Sequence, residues 1–352
     1  MKAVRIEQFG DIQQLRVSTI PRPIPAQNEV LIRVRAAGVN YVDALYVLPP
    51  NNSFLIPQVQ GKHQNNRSLV RPPFTLGLEF SGIITSCPPN YHLQPGDRVF
   101  GAGLGSYAEY IGVPASTNLE KLPSSWSFAD AAGLGATLPV SYGALILRAG
   151  LKRGETVLVH SAAGGLGIMA VQIAAALGCR VIGTAGSEEK CSYAKKHGAS
   201  FCLNYNTDPD WFGKVLELTE GTGVDVVFDP VGLVDLSLKC IAHKGRVLIV
   251  GFAGRGGQME NIAMNRVLLK QVNLIGYRYG ESLRQYPEES RRIWDELKPM
   301  IEEGKIEPTV SQLYEGLESV PNALIDLLER KTLAKAVVKI ATDEAEMGLS
   351  KL

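Results

Sequence analysis

The stretch Thr156-Val157-Leu158-Val159-His160-Ser161-Ala162-Ala163-Gly164-Gly165-Leu166-Gly167 decides the fold, together with the alanine-rich run 168–177 and Gly178-Cys179-Arg180-Val181-Ile182-Gly183-Thr184-Ala185. A β-branched run reads as a strand, the glycine-rich turn as a strand-to-helix joint, and the alanine-rich run as a helix stopped at Gly178. A second strand follows at 180–184. About 30 residues is the length of one βαβ crossover. The turn has the form Ala162-x-Gly164-x-x-Gly167, with alanine at the first glycine position of the dinucleotide fingerprint. Gly164 lets backbone approach a pyrophosphate and Gly167 lets the helix pack on the strand. The N–H groups that open the helix, in the turn Ala163-Gly164-Gly165-Leu166-Gly167, then face the phosphates. A glycine triplet alone serves many strand-to-helix turns; the flanking strand and helix make dinucleotide binding the reading here.

Outward from this unit, 352 residues suggest two or three domains. With 45% hydrophobic and 20% charged residues the chain can bury substantial cores. A formal net charge of +1 gives no global pull toward nucleic acid or an acidic membrane, so neither is an expected partner. The start, Met1-Lys2-Ala3-Val4-Arg5-Ile6-Glu7, has no signal-peptide core, and no apolar run reaches the length of a membrane span. Five cysteines lie scattered without a C-x-x-C pair, and the histidines lack metal-ligand spacing, so reduced thiols and no metal are expected.

The N-terminal part reads as β-rich. Val30, Ile32, Val34 and Ala36 alternate with Leu31, Arg33 and Arg35, the pattern of a half-buried strand. Further short strands are expected at 80–85, 98–100 and 107–113, a rhythm that suits a barrel or sandwich. Residues 48–73 are polar and broken by turn formers, reading as a long surface loop. Ser127 with Asp130 reads as a helix cap. Strands at 156–160, 180–184, 201–203, 224–229, 246–251 and 273–276 alternate with helices, implying a parallel doubly wound sheet of the Rossmann type in an α/β protein. One of those helices is expected to start at Asp208-Pro209 and reach Thr219. Helices near 288–303 and 320–328, a strand 335–340 and a polar tail complete the chain. The expected domains are 1–125, 126–279, a C-terminal return 280–340, and the tail 341–352.

Gly38-Val39-Asn40, Gly77-Leu78-Glu79-Phe80-Ser81-Gly82, Pro95-Gly96-Asp97-Arg98-Val99, Ala162-Ala163-Gly164-Gly165-Leu166-Gly167 and Asn204-Tyr205 resemble the medium-chain dehydrogenase/reductase superfamily, in its quinone oxidoreductase (ζ-crystallin-like) branch. The resemblance covers about residues 1–340 and implies a GroES-like β-rich catalytic domain beside the nucleotide domain. It also allows a homodimer through the edge strand of the nucleotide domain. Zinc members of the superfamily place a cysteine where this chain has Asn40 and a histidine where it has Leu78. A third ligand falls near Ala136, and the cysteine-rich lobe of the structural zinc is missing. Asn and Leu cannot replace a thiolate and an imidazole on zinc, which implies a zinc-free enzyme.

Without a Lewis acid, alcohol oxidation loses its means of stabilising an alkoxide, whereas quinones and enones spread charge by conjugation. The resemblance therefore implies hydride transfer to a small-molecule quinone or enone. By position in the family's substrate cleft, Asn40 and Tyr41 are the candidates for contact with a carbonyl, with Tyr46 beside them. For each a bland reading stands: Asn40 as a backbone-capping turn residue, Tyr46 as packing, and Asp43 as a helix-start residue. A 2-enoyl thioester or secondary-metabolite enone is the alternative substrate. A non-catalytic cofactor-binding or RNA-binding protein is the alternative from another class, and the neutral charge does not favour RNA.

The second strand of the opening unit ends in Ala185, where an acid would bind the ribose hydroxyls of NAD. Ser187 and Lys190 stand ready for a 2′-phosphate, so NADPH is the expected cofactor. Glu188 and Glu189 suit the first turn of the next helix. Tyr205 and Arg330 match further phosphate-side positions of the family, although Ala334 stands where a glycine is common. Phe252, Ala253, Tyr277 and Tyr279 should lie at carboxyl strand ends near the nicotinamide, with loop packing the alternative for each side chain, and Thr137 opens the central helix toward the cofactor.

Ser350-Lys351-Leu352 ends the chain on the polar tail. This tripeptide is the peroxisomal address, read by the import receptor, and its chance occurrence is on the order of once in a few thousand chains. Peroxisomal localisation is the expectation, the cytoplasm the alternative. Residues 341–352 fused to a fluorescent reporter are expected to give punctate peroxisomal signal; diffuse cytosolic fluorescence would remove the claim.

Overall fold

In the computed structural model, which describes residues 1–48, 70–254 and 260–340, the opening stretch folds as a strand, β9, Thr156–Val159, and a helix, α4, Gly165–Ala176, followed by β10, Arg180–Ala185. Most of the expected 48–73 loop and the tail with Ser350-Lys351-Leu352 lie outside the described residues. Before β9 come β1 Lys2–Ile6, β2 Val17–Thr19, β3 Glu29–Gly38, α1 Tyr41–Val47, β4 Phe74–Thr75, β5 Glu79–Ser86, β6 Arg98–Ala102, β7 Tyr110–Pro114, β8 Leu119–Lys121, α2 Phe128–Ala132 and α3 Thr137–Tyr142. After β10 come α5 Glu188–Lys196, β11 Phe201–Asn204, α6 Trp211–Leu218, β12 Val224–Asp229, α7 Val234–Cys240, β13 Ile241–Ile249, α8 Met264–Lys270, β14 Asn273–Gly276, α9 Tyr279–Gln285, α10 Pro287–Glu302, β15 Val310–Glu315, α11 Val320–Leu328 and β16 Lys335–Lys339.

The described residues form two compact units, 1–48 with 70–136 and 308–340, and 137–254 with 260–307. This division differs from the expected boundaries at 125/126 and 279/280. Residues 126–136 stay with the first unit because Ser81 Oγ donates to Phe128 O, and Ala136 N–H to the Glu79 carboxylate. Residues 280–307 belong to the second, not to a return. The Gln172 carboxamide exchanges two hydrogen bonds with the Glu307 backbone, and Tyr142 and Arg148 bond Glu296 and Glu289 of α10.

The second unit is a six-stranded sheet in the order β11-β10-β9-β12-β13-β14, parallel at every pairing, as a doubly wound sheet requires. Helix α4 carries buried residues all round and so sits as a core helix rather than an amphipathic one. Two expected elements shift. Strand β13 begins at Ile241, where Ile241 and Val247 are both core residues, and α6 starts at Trp211 after Asp210 rather than at Asp208-Pro209. At the end of β9, His160 is fully buried: Nδ1 lies 2.9 Å from Thr184 Oγ1 and Nε2 2.8 Å from Ser237 Oγ. Ser237 donates its hydroxyl proton to Leu233 O, so it accepts from Nε2–H and leaves Nδ1 to accept from Thr184. Burial pushes the imidazole down to about 3, and the ring acts as a neutral tie among β9, β10 and α7.

The first unit carries a seven-stranded sheet, β15-β16-β3-β5-β6-β8 with β7 on β3, and a smaller β2-β1-β4 sheet. Strand β3 departs from the expected half-buried alternation, since Leu31 and Arg35 are also buried. Val30, Ile32 and Val34 enter one core cluster with Phe80, Val99 and Ile111. The opposite face is covered by α2, where Ala36 packs on Ala129 and Ala132 and the Arg35 guanidinium lies 5.8 Å from the centre of the Phe128 ring. The Ser127 cap forms as expected, its hydroxyl accepting from Asp130 N–H while Asp130 accepts from Ser127 N–H. The five cysteines are free.

Candidate functional site

Register builds the polar site of the first unit. Gly38 closes β3 and faces Glu79, the first residue of β5, on one side and Val337 of β16 on the other. Lys335 opens β16, and its ammonium reaches the Glu79 carboxylate, both side chains being almost wholly buried. A Cβ on Gly38 would stand 2.3 Å from Glu79 Oε1, and one on Gly133 2.5 Å from Lys335 Cγ, so both glycines leave the room this pair needs. The Asn40 carboxamide completes a triangle, Nδ2 donating to Glu79 Oε1 at 3.0 Å and Oδ1 accepting from Lys335 Nζ at 2.7 Å. Glu79 Oε2 accepts from Ala136 N–H at 2.8 Å. Asn40 sits at the N-cap of α1, yet its side chain makes no capping bond.

Asp43 is the helix-start residue the sequence implies, its Oδ2 accepting from Asn40 N–H at 2.9 Å. It also accepts from the Tyr107 hydroxyl at 2.8 Å and is fully buried, with Oδ1 lacking a hydrogen-bond partner among the described residues. Burial pushes its carboxyl up to about 7 against the pull of these bonds and of Lys335. Tyr41 is half-buried beside Asn40. Desolvation raises its phenol, countered by the Arg330 charge. Arg330 therefore belongs with Tyr41 in the first unit. Ala334 adopts the left-handed conformation, φ 49°, that a glycine takes without strain. Tyr46 packs into a core cluster with its ring edge on Phe74, 6.1 Å between centroids, which is the packing reading.

In the second unit the glycine turn differs from the fingerprint in one respect. The left-handed residue is Ser161, φ 52°, one position before Ala162. Ala162 is free of that demand, and its methyl packs where a side chain on Gly183 would collide. Gly164 is the N-cap of α4, where a Cβ would meet Ser161 Oγ at 2.6 Å. Gly167 is stricter, since its Cβ would stand 2.0 Å from Ser161 O. Ala163 is buried, and Gly164, Gly165 and Leu166 are half-exposed at the helix N-terminus, a place that suits an anion, with the Gly164 N–H itself donating to Ser161 O.

Ser187 caps α5 by accepting from Lys190 N–H at 3.2 Å, which brings the two expected phosphate residues into one turn after Ala185. The Tyr205 hydroxyl lies over Gly186, 2.7 Å from where a Cβ would be, and Asn206 donates to Gly186 O. Glu188, the acid that complicates a phosphate site, accepts from Asn204 Nδ2 at 3.0 Å. Phe252 is 41% exposed after β13, with Ala253 N–H donating to Pro230 O. Tyr277 and Tyr279 are buried, the first with its hydroxyl over Gly143 and the second hydrogen-bonded to Ser290. Thr137 is also buried, at the start of α3. Among the described residues no three His, Cys, Asp or Glu side chains are grouped to hold a metal ion.

Glu79 and Lys335 are the site residues that the sequence reading left without a role. Their signal was present as single charges at the ends of apolar strands, Glu79 before Phe80 and Lys335 before Ala336-Val337-Val338. Nothing local pairs them, since Asn40 and Lys335 are 295 positions apart.

A doubly wound parallel sheet with a glycine turn, in one chain with a mostly antiparallel β unit carrying a buried polar site, defines a two-unit protein of the dinucleotide-binding class. The alcohol dehydrogenase GroES-like domain matches residues 26–124 and the zinc-binding dehydrogenase domain residues 165–298. The chain is 32% identical to the quinone oxidoreductase of Homo sapiens over 329 residues, 92% of each protein. It superposes on the Escherichia coli quinone oxidoreductase complexed with NADPH with a TM-score of 0.79 at 27% identity, covering 96% and 100% of the two chains. For the enoyl reductase CurK the TM-score is 0.82 at 25% identity, covering 97% and 99%. The chain belongs to the quinone oxidoreductase branch of the medium-chain dehydrogenase/reductase superfamily.

The Asp43 carboxyl gives a pH test of this geometry. Its folded value near 7 lies above the unfolded one, so the folded state holds more protons between pH 4 and 7. Stability from this group is full at about pH 4 and falls as the pH rises to 7, by roughly 2–4 kcal/mol. Asp43→Asn removes the titrating group. Urea unfolding of the wild type should weaken across this range relative to the variant, and parallel pH curves would refute the assignment.

Proposed function

We propose that this protein transfers hydride from NADPH to the conjugated carbonyl of a quinone or other α,β-unsaturated compound, without zinc. The observation that carries the reading is the Asn40–Glu79–Lys335 triangle. A zinc site needs thiolate, imidazole or free carboxylate donors in a tetrahedral set. Here Leu78 is apolar, the Asn40 carbonyl oxygen already accepts from an ammonium, and Glu79 is committed to Lys335, Asn40 and Ala136. The donor set does not fit zinc. Bound NADPH supplies the hydride. The Gly164–Gly167 turn would hold its pyrophosphate, and Ser187, Lys190 and Tyr205 its 2′-phosphate, where Ala185 presents no carboxylate to repel it. Asn40 and Tyr41 would receive the carbonyl oxygen as polar contacts.

Likeness to an enoyl reductase supports the second reading, a 2-enoyl thioester or secondary-metabolite enone as substrate. A panel of quinones, enals, enones and enoyl thioesters, run with chelator-washed enzyme, tests both. Turnover of a conjugated carbonyl with substoichiometric zinc, and a kcat/KM preference for NADPH over NADH that Lys190→Ala lowers roughly tenfold, is expected. Stoichiometric zinc, or equal use of both cofactors, would refute the corresponding part. NADPH binding with no turnover across the panel would favour a non-catalytic role.

We also propose a homodimer. Strand β14 is the last strand of its sheet, and on neighbouring α8 Met264, Leu268 and Leu269 are 60%, 77% and 72% exposed. Among the described residues no further strand pairs with β14, and such a large apolar set near it suits a second copy of the chain. Light scattering on the eluted protein should give twice the chain mass, falling to one for Leu268→Glu/Leu269→Glu; a monomeric wild type would end the proposal.

A further inference from the structure

We infer that the buried Glu79–Lys335 pair is a positioning device that fixes the Asn40 amide in one orientation and polarises its outward N–H toward the substrate's carbonyl oxygen. The inference rests on the reading of Asn40 as the carbonyl contact and assigns Lys335 and Glu79 the work behind it.

The geometry leaves the amide no alternative. An ammonium only donates and a carboxylate only accepts, so the side in contact with Lys335 Nζ must be oxygen and the side on Glu79 must be nitrogen. Lys335 Nζ is bonded to both Asn40 Oδ1 and Glu79 Oε1, which places Glu79 on the oxygen side of the amide plane. Glu79 therefore takes the N–H that lies syn to Oδ1. The anti N–H points away from the ion pair and finds no acceptor among the described residues, and Asn40 is half-buried rather than sealed. A flip would set an N–H against the ammonium and two acceptors against each other.

The charge has a second consequence. A hydrogen bond from Lys335 to Oδ1 draws electrons toward the oxygen and makes the remaining N–H a better donor, an effect that survives because both charges are excluded from water. Hydride addition to the β-carbon of an enone forms a C–H bond at the expense of one in NADPH, which is oxidised to NADP+, and shifts the conjugated π-electrons so that a pair comes to rest on the carbonyl oxygen. The enolate is then protonated by water, so one hydride and one proton are added in all. A donor already aimed at the oxygen stabilises that developing charge without reorganising. Gly38 and Gly133 fit this account, since each is bare where a methyl would push Glu79 or Lys335 out of line.

Substituted 4-phenyl-3-buten-2-ones, graded in electron withdrawal, supply the test. Because the lone buried charge left in Lys335→Met is strongly destabilising, the double variant Glu79→Gln/Lys335→Met removes both charges and is measured beside it. The double variant should keep the wild-type melting temperature within a few degrees and its NADPH affinity. Its kcat should fall roughly tenfold to a hundredfold, with a steeper dependence on electron withdrawal, because poorly activated enones rely most on the polarised donor. In an Asn40→Ala background the same two changes should cost no more than about twofold. A double variant with wild-type kcat and slope overturns the inference, and so does an equal loss in the Asn40→Ala background. Asn40→Ala turning over every enone at the wild-type rate would instead refute the reading of Asn40 itself.

Discussion

The burial of one acid against one base, Glu79 against Lys335, ties together distant parts of the first unit. Bringing two charges into an apolar interior is costly, and it succeeds only where their remaining hydrogen-bonding capacity is met. Here it is met by Asn40 and by the Ala136 backbone, with two glycines leaving the necessary room. The pair joins β5 to β16, and both flank β3, so the last strand of the chain is locked into the sheet that the N-terminal strands begin. Removing one partner would strand the other, at roughly 3–5 kcal/mol.

The second unit solves a different problem, bringing bare backbone close to a ligand. It does so with a helix that starts abruptly. Ser161 takes the left-handed turn, Gly167 lies against the Ser161 carbonyl, and α4 is buried from its first turn on. His160 stands just before this turn as a neutral hydrogen-bonding hub, so the carboxyl ends of β9 and β10 and the start of α7 keep a fixed spacing. These three elements are thus joined through an uncharged histidine rather than through an ion pair.

Much of this was legible in the sequence wherever the signal was local. The parallel sheet was readable because each strand and helix carries its own period, and the Ser127–Asp130 cap because it spans four residues. The β3 strand misled, since its two arginines suggested a wet face that α2 in fact covers, with Arg35 lying against the Phe128 ring. Tyr46 was the less secure site residue, with packing as its other reading, and its ring meets Phe74, distant in sequence, edge-on. The Asn40 triangle was the hardest part. Residue type pointed to Asn40, but its partners come from β5 and from the far end of the chain, and only strand register puts Gly38 across from Glu79 and near Lys335.

Two buried titrating groups shift in opposite directions, and the contrast follows from their chemistry, because burial favours the neutral form, which is deprotonated for a base and protonated for an acid. Burial keeps a second proton off His160 until well below its usual range, and each ring nitrogen has a partner that suits the neutral ring. Asp43 has two donors on one oxygen and none on the other among the described residues, so burial holds its proton on until near neutrality. Acidification therefore loads the second unit, through His160, while it relieves the first, through Asp43. Where the two titration ranges overlap, the loss at one buried site offsets the gain at the other.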